Sequence, residues 1–432
     1  MTSRLDAYKQ KIAVLSEQLV DIQRPIRILD AIKWSPAIDQ KLRKSGFREM
    51  PAVDANYYAS NPLGFDPDQK FQEFDEFTSL VKRELGQHDD IGQILLTSAR
   101  EYKAVIEMLL ARGTPEFWAK SRSLYGSPKD GFFDNTTTIR SLGELIYPML
   151  TALDRQVPDT EPMDLDAHTV VDELNGRFLD YFGPNATVHA RIADEIWADA
   201  AAGGDTVKIR QGARFSRRDV DILEVHEGWV HLGTTQNGLQ QSCARWLSKG
   251  PPRCSATQEG LAIIMEIFTF RSYAKRARHI NDRILAIDRA EDGASILDII
   301  EFFRTEGYSE DDCLANAKRV FRGGVVEGGA PFTKDIAYCK GYVENYNFIR
   351  AAVRAGHPEL IPFLFTGKLH IDDIPVLYRK HKEGIVDAPR YLPPQFQDVS
   401  GVAVWMSFSN FLNRVNLPRI QEHYDRLFET YL

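Results

Sequence analysis

Cysteine is scarce. The four present in 432 residues, Cys243, Cys254, Cys313 and Cys339, show no Cys-x-x-Cys spacing, so they read as reduced thiols rather than as a disulfide framework. No run of 18 apolar residues occurs, which excludes a membrane-spanning helix, and no apolar segment follows Met1-Thr2-Ser3-Arg4 as a secretory leader would require. The expected location is the cytoplasm. Positive charge is also in deficit: a formal charge of −8 and a pI near 5.8 argue against nucleic acid or a membrane as the main partner. Repeats and low-complexity tracts are missing too. What is present is 43% hydrophobic, enough to bury a large core in one big enzyme or in two or three domains.

Apolar spacing places helices along much of the chain. Leu5, Tyr8, Ile12, Leu15, Leu19 and Ile22 recur at threes and fours until Pro25 stops the run, giving an amphipathic helix that packs on the body. Similar patterns cover residues 71–85, 91–110 and 139–153. Pro158 and Pro162, among several acids, then break the periodicity. This places a helical N-terminal region at 1–157 and a catalytic region at 158–432.

The chemistry concentrates in His226-Glu227-Gly228-Trp229-Val230-His231 and, further on, in Thr257-Gln258-Glu259-Gly260-Leu261-Ala262. Two imidazoles and one carboxylate make an open three-ligand zinc site, with Glu227 left over as a base. The histidines are five residues apart, not four, so in a regular helix the second points about 140° away from the first. A shared metal therefore requires a π-bulge or local unwinding, which Gly228 makes easier. Val207-Lys208-Ile209-Arg210 reads as a strand before the motif, Ser216 with Asp219 as a helix start, and Asn237-Gly238 as a closing turn.

The second motif is expected to open a helix at a capping box, Ser255 to Gln258, with Glu259 in its first turn. Glu259 is the candidate third ligand and Glu266, seven residues on, the fallback. A solvated helix-dipole role for Glu259 is the competing reading. A structural zinc held by the two histidines with Cys243 and Cys254 is a further alternative, although ten residues between those cysteines exceed the usual zinc-knuckle spacing. A third stretch, Phe332-Thr333-Lys334-Asp335-Ile336, opens a helix on which Lys334, Tyr338, Tyr342 and Tyr346 recur every four residues. Gly323, Gly324, Gly328, Gly329 and Gly341 mark a flexible or closely packed approach to it.

From about Lys208 to Asn347 these three ordered motifs resemble the zinc peptidase family of the microtubule-associated tyrosine carboxypeptidases. Its bacterial members are often labelled for the Gln-Glu-Gly-Leu-Ala motif and for an effect on flavohemoglobin expression. The resemblance implies that His226, His231 and Glu259 bind one zinc and that Glu227 is the catalytic base. Eukaryotic members remove a C-terminal tyrosine from tubulin. Tubulin recognition lies outside the matching motifs, so that substrate does not transfer.

A peptidase of this kind needs a donor for the oxyanion, for which Tyr338 and Tyr342 are candidates. A carboxypeptidase also needs a cation for the terminal carboxylate, and Lys334, Arg210, Arg214, Arg319 and Arg322 are the basic residues nearest the motifs in sequence. The expected fold is α+β and predominantly α-helical, with a zincin-like catalytic core. Its small sheet would offer an edge strand, at Val207 to Arg210, to an extended substrate. The expected reaction is removal of an aromatic or apolar residue from a peptide or protein C-terminus. The competing classes are a non-catalytic metal-binding regulator of gene expression and a metal-dependent hydrolase of a non-peptide bond.

Overall fold

The computed structural model describes residues 4–134, 136–157, 161–194, 196, 198–412 and 415–431. Pro158, where the boundary between regions was expected to begin, lies outside them. Helices α1 (Arg4–Gln23), α2 (Pro67–Leu85), α3 (Asp90–Leu110) and α4 (Ile139–Gln156) fall where apolar spacing placed them. Asp66 and Asp89 cap α2 and α3 by accepting from first-turn amides, and Thr138 and Ser141 form a capping box on α4. Further on come α5 (Ala167–Phe182), β1 (His189–Ala193), β2 (Ala200–Gly203), β3 (Thr206–Arg210) and α6 (Arg217–Leu223). A π-helix (Glu224–Leu232) then runs directly into α7 (Gly233–Leu239). The remaining elements used below are α8 (Cys254–Phe268), α9 (Ala274–Glu291), α10 (Glu310–Phe321), α11 (Ala337–Ala355), α12 (Val399–Leu412) and α13 (Leu417–Tyr431). The fold is α+β and mainly helical, as expected, with one three-stranded and one two-stranded sheet.

Strand β3 corrects one expectation. It lies at the centre of the three-stranded sheet, parallel to β1 and antiparallel to β2, so both its edges are already bonded. Its Val207 and Ile209 are fully buried against Val170, Leu174 and Phe178 of α5, which fixes it inside the sheet. The strand available to an extended ligand is therefore not 207–210.

The largest apolar core draws on both sides of the 157/158 division. Ile12, Leu15 and Leu19 of α1, Phe74 and Phe77 of α2 and Leu95 of α3 pack in one cluster with Val225 and Val230 of the π-helix and Leu261 and Ile264 of α8. Burying such side chains supplies roughly 1.5–3 kcal/mol each. The two helices that carry the histidines and Glu259 thus rest on the N-terminal helices.

Helices α8 and α11 cross backbone to backbone at Gly260 and Gly341. A Cβ at Gly260 would stand 1.9 Å from the Gly341 carbonyl carbon, and one at Gly341 only 1.8 Å from Ala256 O. Nearby, the buried Asn345 amide donates to Thr257 O at 3.1 Å and ties the helices together. Because no flexible side chain can yield, Gly260→Ala should destabilise the protein by about 3 kcal/mol. Chemical denaturation measures this; a loss below about 0.5 kcal/mol would contradict the close crossing.

Candidate metal and catalytic site

Ser216 and Asp219 cap α6 reciprocally, as their spacing indicated, and the chain then widens into the nine-residue π-helix. The Gly233 amide donates to Gly228 O, five residues back. This winding sets residues five apart one above the other, and the His226 and His231 rings lie 5.0 Å apart, at 80° to one another. Gly228 has a second reason to be glycine: a Cβ there would meet Phe178 at 2.5 Å. Asn237-Gly238 is no turn. Both residues are buried inside α7, where the Asn237 side chain bonds Phe365 O, Tyr391 O and the Arg390 and Tyr391 amides.

The start of α8 also differs from expectation. The helix begins at Cys254, just after Pro251-Pro252, and Ser255 is not its cap. Glu259 is consequently its sixth residue, two residues deeper than expected, and leaves the first-turn dipole position for the interior.

There Glu259 Oε2 stands 3.7 Å from His226 Nε2 and 3.5 Å from His231 Nε2. These separations are too long for hydrogen bonds, and Oε2 is buried with no hydrogen-bond partner. They do suit a shared cation: donors about 2.0–2.1 Å from a tetrahedral zinc sit roughly 3.4 Å apart. His226, His231 and Glu259 are also the one group among the described residues whose donor atoms, all within 4.8 Å of each other, could hold a metal ion. Cys243 and Cys254 are buried free thiols outside that group, with Cys254 Sγ directed at Lys368 O.

Around this trio lies a charged support. His226 Nδ1 meets Glu266 Oε1 at 2.7 Å, which turns Nε2 toward Glu259, and Arg276 Nη2 donates to the same oxygen at 2.9 Å. Glu266 thus stands where an orienting carboxylate behind a candidate ligand histidine would stand. Burial would raise its pKa, but Arg276 and His226 outweigh it and hold the group at about 2. Burial likewise opposes charge on His226, whose carboxylate neighbours Glu259 and Glu266 nevertheless hold it up at about 9. Glu259 is kept well below the usual carboxylate range against its burial, chiefly by Lys334, which donates to Oε1 at 3.2 Å. Replacing Glu266 with Ala should weaken metal affinity about 10–100-fold by freeing the His226 ring. Competition with a chromophoric chelator reads this directly, and parental affinity would remove Glu266 from the role.

Glu227, between the two histidines in sequence, is half-buried, and its charge acts on His226 and Lys368. Tyr338 stacks 6.4 Å from His226, beneath the Arg283 guanidinium, and burial together with Glu259 raises its pKa. Tyr342, one turn on, packs against Tyr346 and lines a cavity of about 720 Å³ with Ile263, Ile267 and Phe270. Arg319 holds Asp335 through two hydrogen bonds, at 2.5 and 3.1 Å. Arg322 has no carboxylate partner among the described residues; its Nε is buried and unbonded, its guanidinium lies 5.7 Å from the Phe332 ring centroid, and burial beside Arg319 pushes its pKa down to about 10. Arg210 pairs instead with Asp199, and Arg214 donates to the carbonyls of Met163 and Asp164.

A family model, that of the microtubule-associated tyrosine carboxypeptidases, matches residues 40–414, most of the chain. The chain belongs to this family. No curated protein matches it. Membership supports a carboxypeptidase-type function and implies a peptide or protein substrate. No helix among the described residues is long and apolar enough to cross a membrane.

Family membership leaves Lys368 unexplained, and so did the sequence. Its Nζ donates to His231 O at 2.9 Å and to Gln258 Oε1 at 2.8 Å. Gln258 also accepts from Thr234 at 2.8 Å and donates to Gly367 O at 3.3 Å. The Gln-Glu-Gly triplet therefore divides its work: Gln258 ties α8 to the segment bearing His231, Glu259 faces the histidines, and Gly260 admits α11. Lys368 lies 137 residues from His231 with no motif around it, so only the tertiary contact reveals it. Burial pushes its pKa down to about 8.

Proposed function

We propose that this protein is a zinc-dependent carboxypeptidase that removes one aromatic or apolar residue from the C-terminus of a peptide or protein. The observation that carries the reading is Glu259 Oε2, buried without a partner between two imidazoles in a chain of this family. His226, His231 and Glu259 would hold the ion, which when bound supplies a Lewis acid for polarising a carbonyl and acidifying water.

The remaining steps belong to the protein. Glu227 accepts a proton from the attacking water and returns it to the leaving amine. Tyr338, stacked near His226, donates to the developing oxyanion in preference to Tyr342, which packs against Tyr346. Glu266 and Arg276 keep the His226 ring in register, while Lys334 holds the free oxygen of Glu259. That contact makes Lys334 less available for substrate, and Arg319 is similarly engaged by Asp335. Arg322, lacking a carboxylate of its own, is the cation best suited to the terminal carboxylate.

Competition between free-acid and C-terminally amidated peptides tests this arrangement. Amidation, or Arg322→Met on the free acid, should lose about 2–4 kcal/mol of transition-state binding, as when one partner of a buried charge pair is removed. Equal cleavage of both peptides at internal bonds would reject the carboxypeptidase reading and leave the metal site standing.

A further inference from the structure

Two helices late in the chain leave large apolar side chains exposed. Helix α12 buries Val402 and Met406 and sets Trp405 edge-on to Phe268 and Tyr346, with ring centroids 4.7 and 6.2 Å away. Trp405 still remains 48% exposed, and Val404, Phe408, Phe411 and Leu412 are 56–68% exposed. In α13 none of residues 417–430 is buried, and Leu417, Ile420, Tyr424, Leu427 and Phe428 are 42–59% exposed.

These positions are not scattered. Leu417, Ile420, Tyr424 and Leu427 follow steps of three, four and three, and Val404, Phe408 and Phe411 steps of four and three. That alternation makes the seam of a helical bundle. A 15-residue helix such as α13 is marginal in water unless its apolar face is packed.

We infer that the exposed apolar faces of α12 and α13 form a self-association surface, on which the same helices of a second copy pack about a two-fold axis. Ten large side chains, each about half exposed, offer on the order of 1,000 Å² per copy, against the roughly 800 Å² per partner of a standard interface. Charge favours a second copy over a lipid surface. Helix α13 carries two arginines, no lysine and three acidic residues, whereas helices that lie on anionic membranes are rich in Lys and Arg. A near-neutral seam does not repel its own copy. This inference is independent of the catalytic reading.

Sedimentation velocity of the full chain at micromolar concentration tests it, with and without Phe408→Glu plus Leu427→Glu. The parent should sediment as a dimer of 49.1 kDa chains and the double variant as a monomer with unchanged helical circular dichroism. The milder pair Phe411→Ser and Tyr424→Ser should dissociate the dimer in the same way. A monomeric parent, or a dimer that survives both pairs of substitutions, would overturn the proposal. So would binding of a monomeric parent to phosphatidylcholine–phosphatidylserine vesicles, which would make the surface a lipid contact.

Discussion

Glu227→Gln should retain its zinc and its thermal midpoint while losing about 10²–10⁴-fold in kcat. The amide keeps the size and hydrogen-bonding reach of the carboxylate but cannot accept a proton from water. Glu227 is half-buried, its charge acts on His226, and it is not one of the three candidate ligands, so removing its charge leaves the donor set intact. Metal content and peptide hydrolysis measured on one preparation separate the two roles. Parental activity in the variant would exclude Glu227 as the base, whereas loss of metal would show that it is a ligand.

The second large effect is expected at Glu259. Glu259→Ala should reduce zinc from one per chain to a small fraction, because two imidazoles alone make a poor site. It should also destabilise the fold, since Lys334 loses the carboxylate 3.2 Å away while staying largely shielded from water with its charge. Glu259→Gln keeps the shape and separates the two losses: zinc binding should fall while less stability is lost. His231→Ala should lose metal in the same way. Plasma emission spectrometry with calorimetry reads both quantities. Full zinc retention in Glu259→Ala would move the third ligand elsewhere.

The site was legible where local geometry left few choices. Histidines five residues apart cannot share a metal on a regular helix, and the nine-residue π-helix is the distortion their spacing demanded. Helices α1 to α4 were legible for a similar reason, since long apolar periodicity buried on one side admits few alternatives.

What escaped depends on partners distant in sequence. Glu266 was placed as a substitute ligand, but it faces Nδ1 of a histidine 40 residues earlier, together with Arg276. Lys368 and Arg283 approach through packing alone, with no spacing to announce them. Strand β3 was recognised, while its central place was not, because its neighbour β2 reads Ala-Ala-Ala-Gly, a composition poor in strand-forming residues. Asn237-Gly238 looked like a turn by local preference and was overruled by the buried hydrogen bonds of the Asn237 amide.

The most direct test of the central claim is amino-acid release from free-acid peptides by the purified protein, followed by mass spectrometry through chelation and stoichiometric zinc return. One residue should leave the C-terminus, release should stop on chelation, and zinc should restore it. No release by the fully zinc-loaded protein across a peptide library, or release that continues unchanged after the metal is gone, would contradict the account.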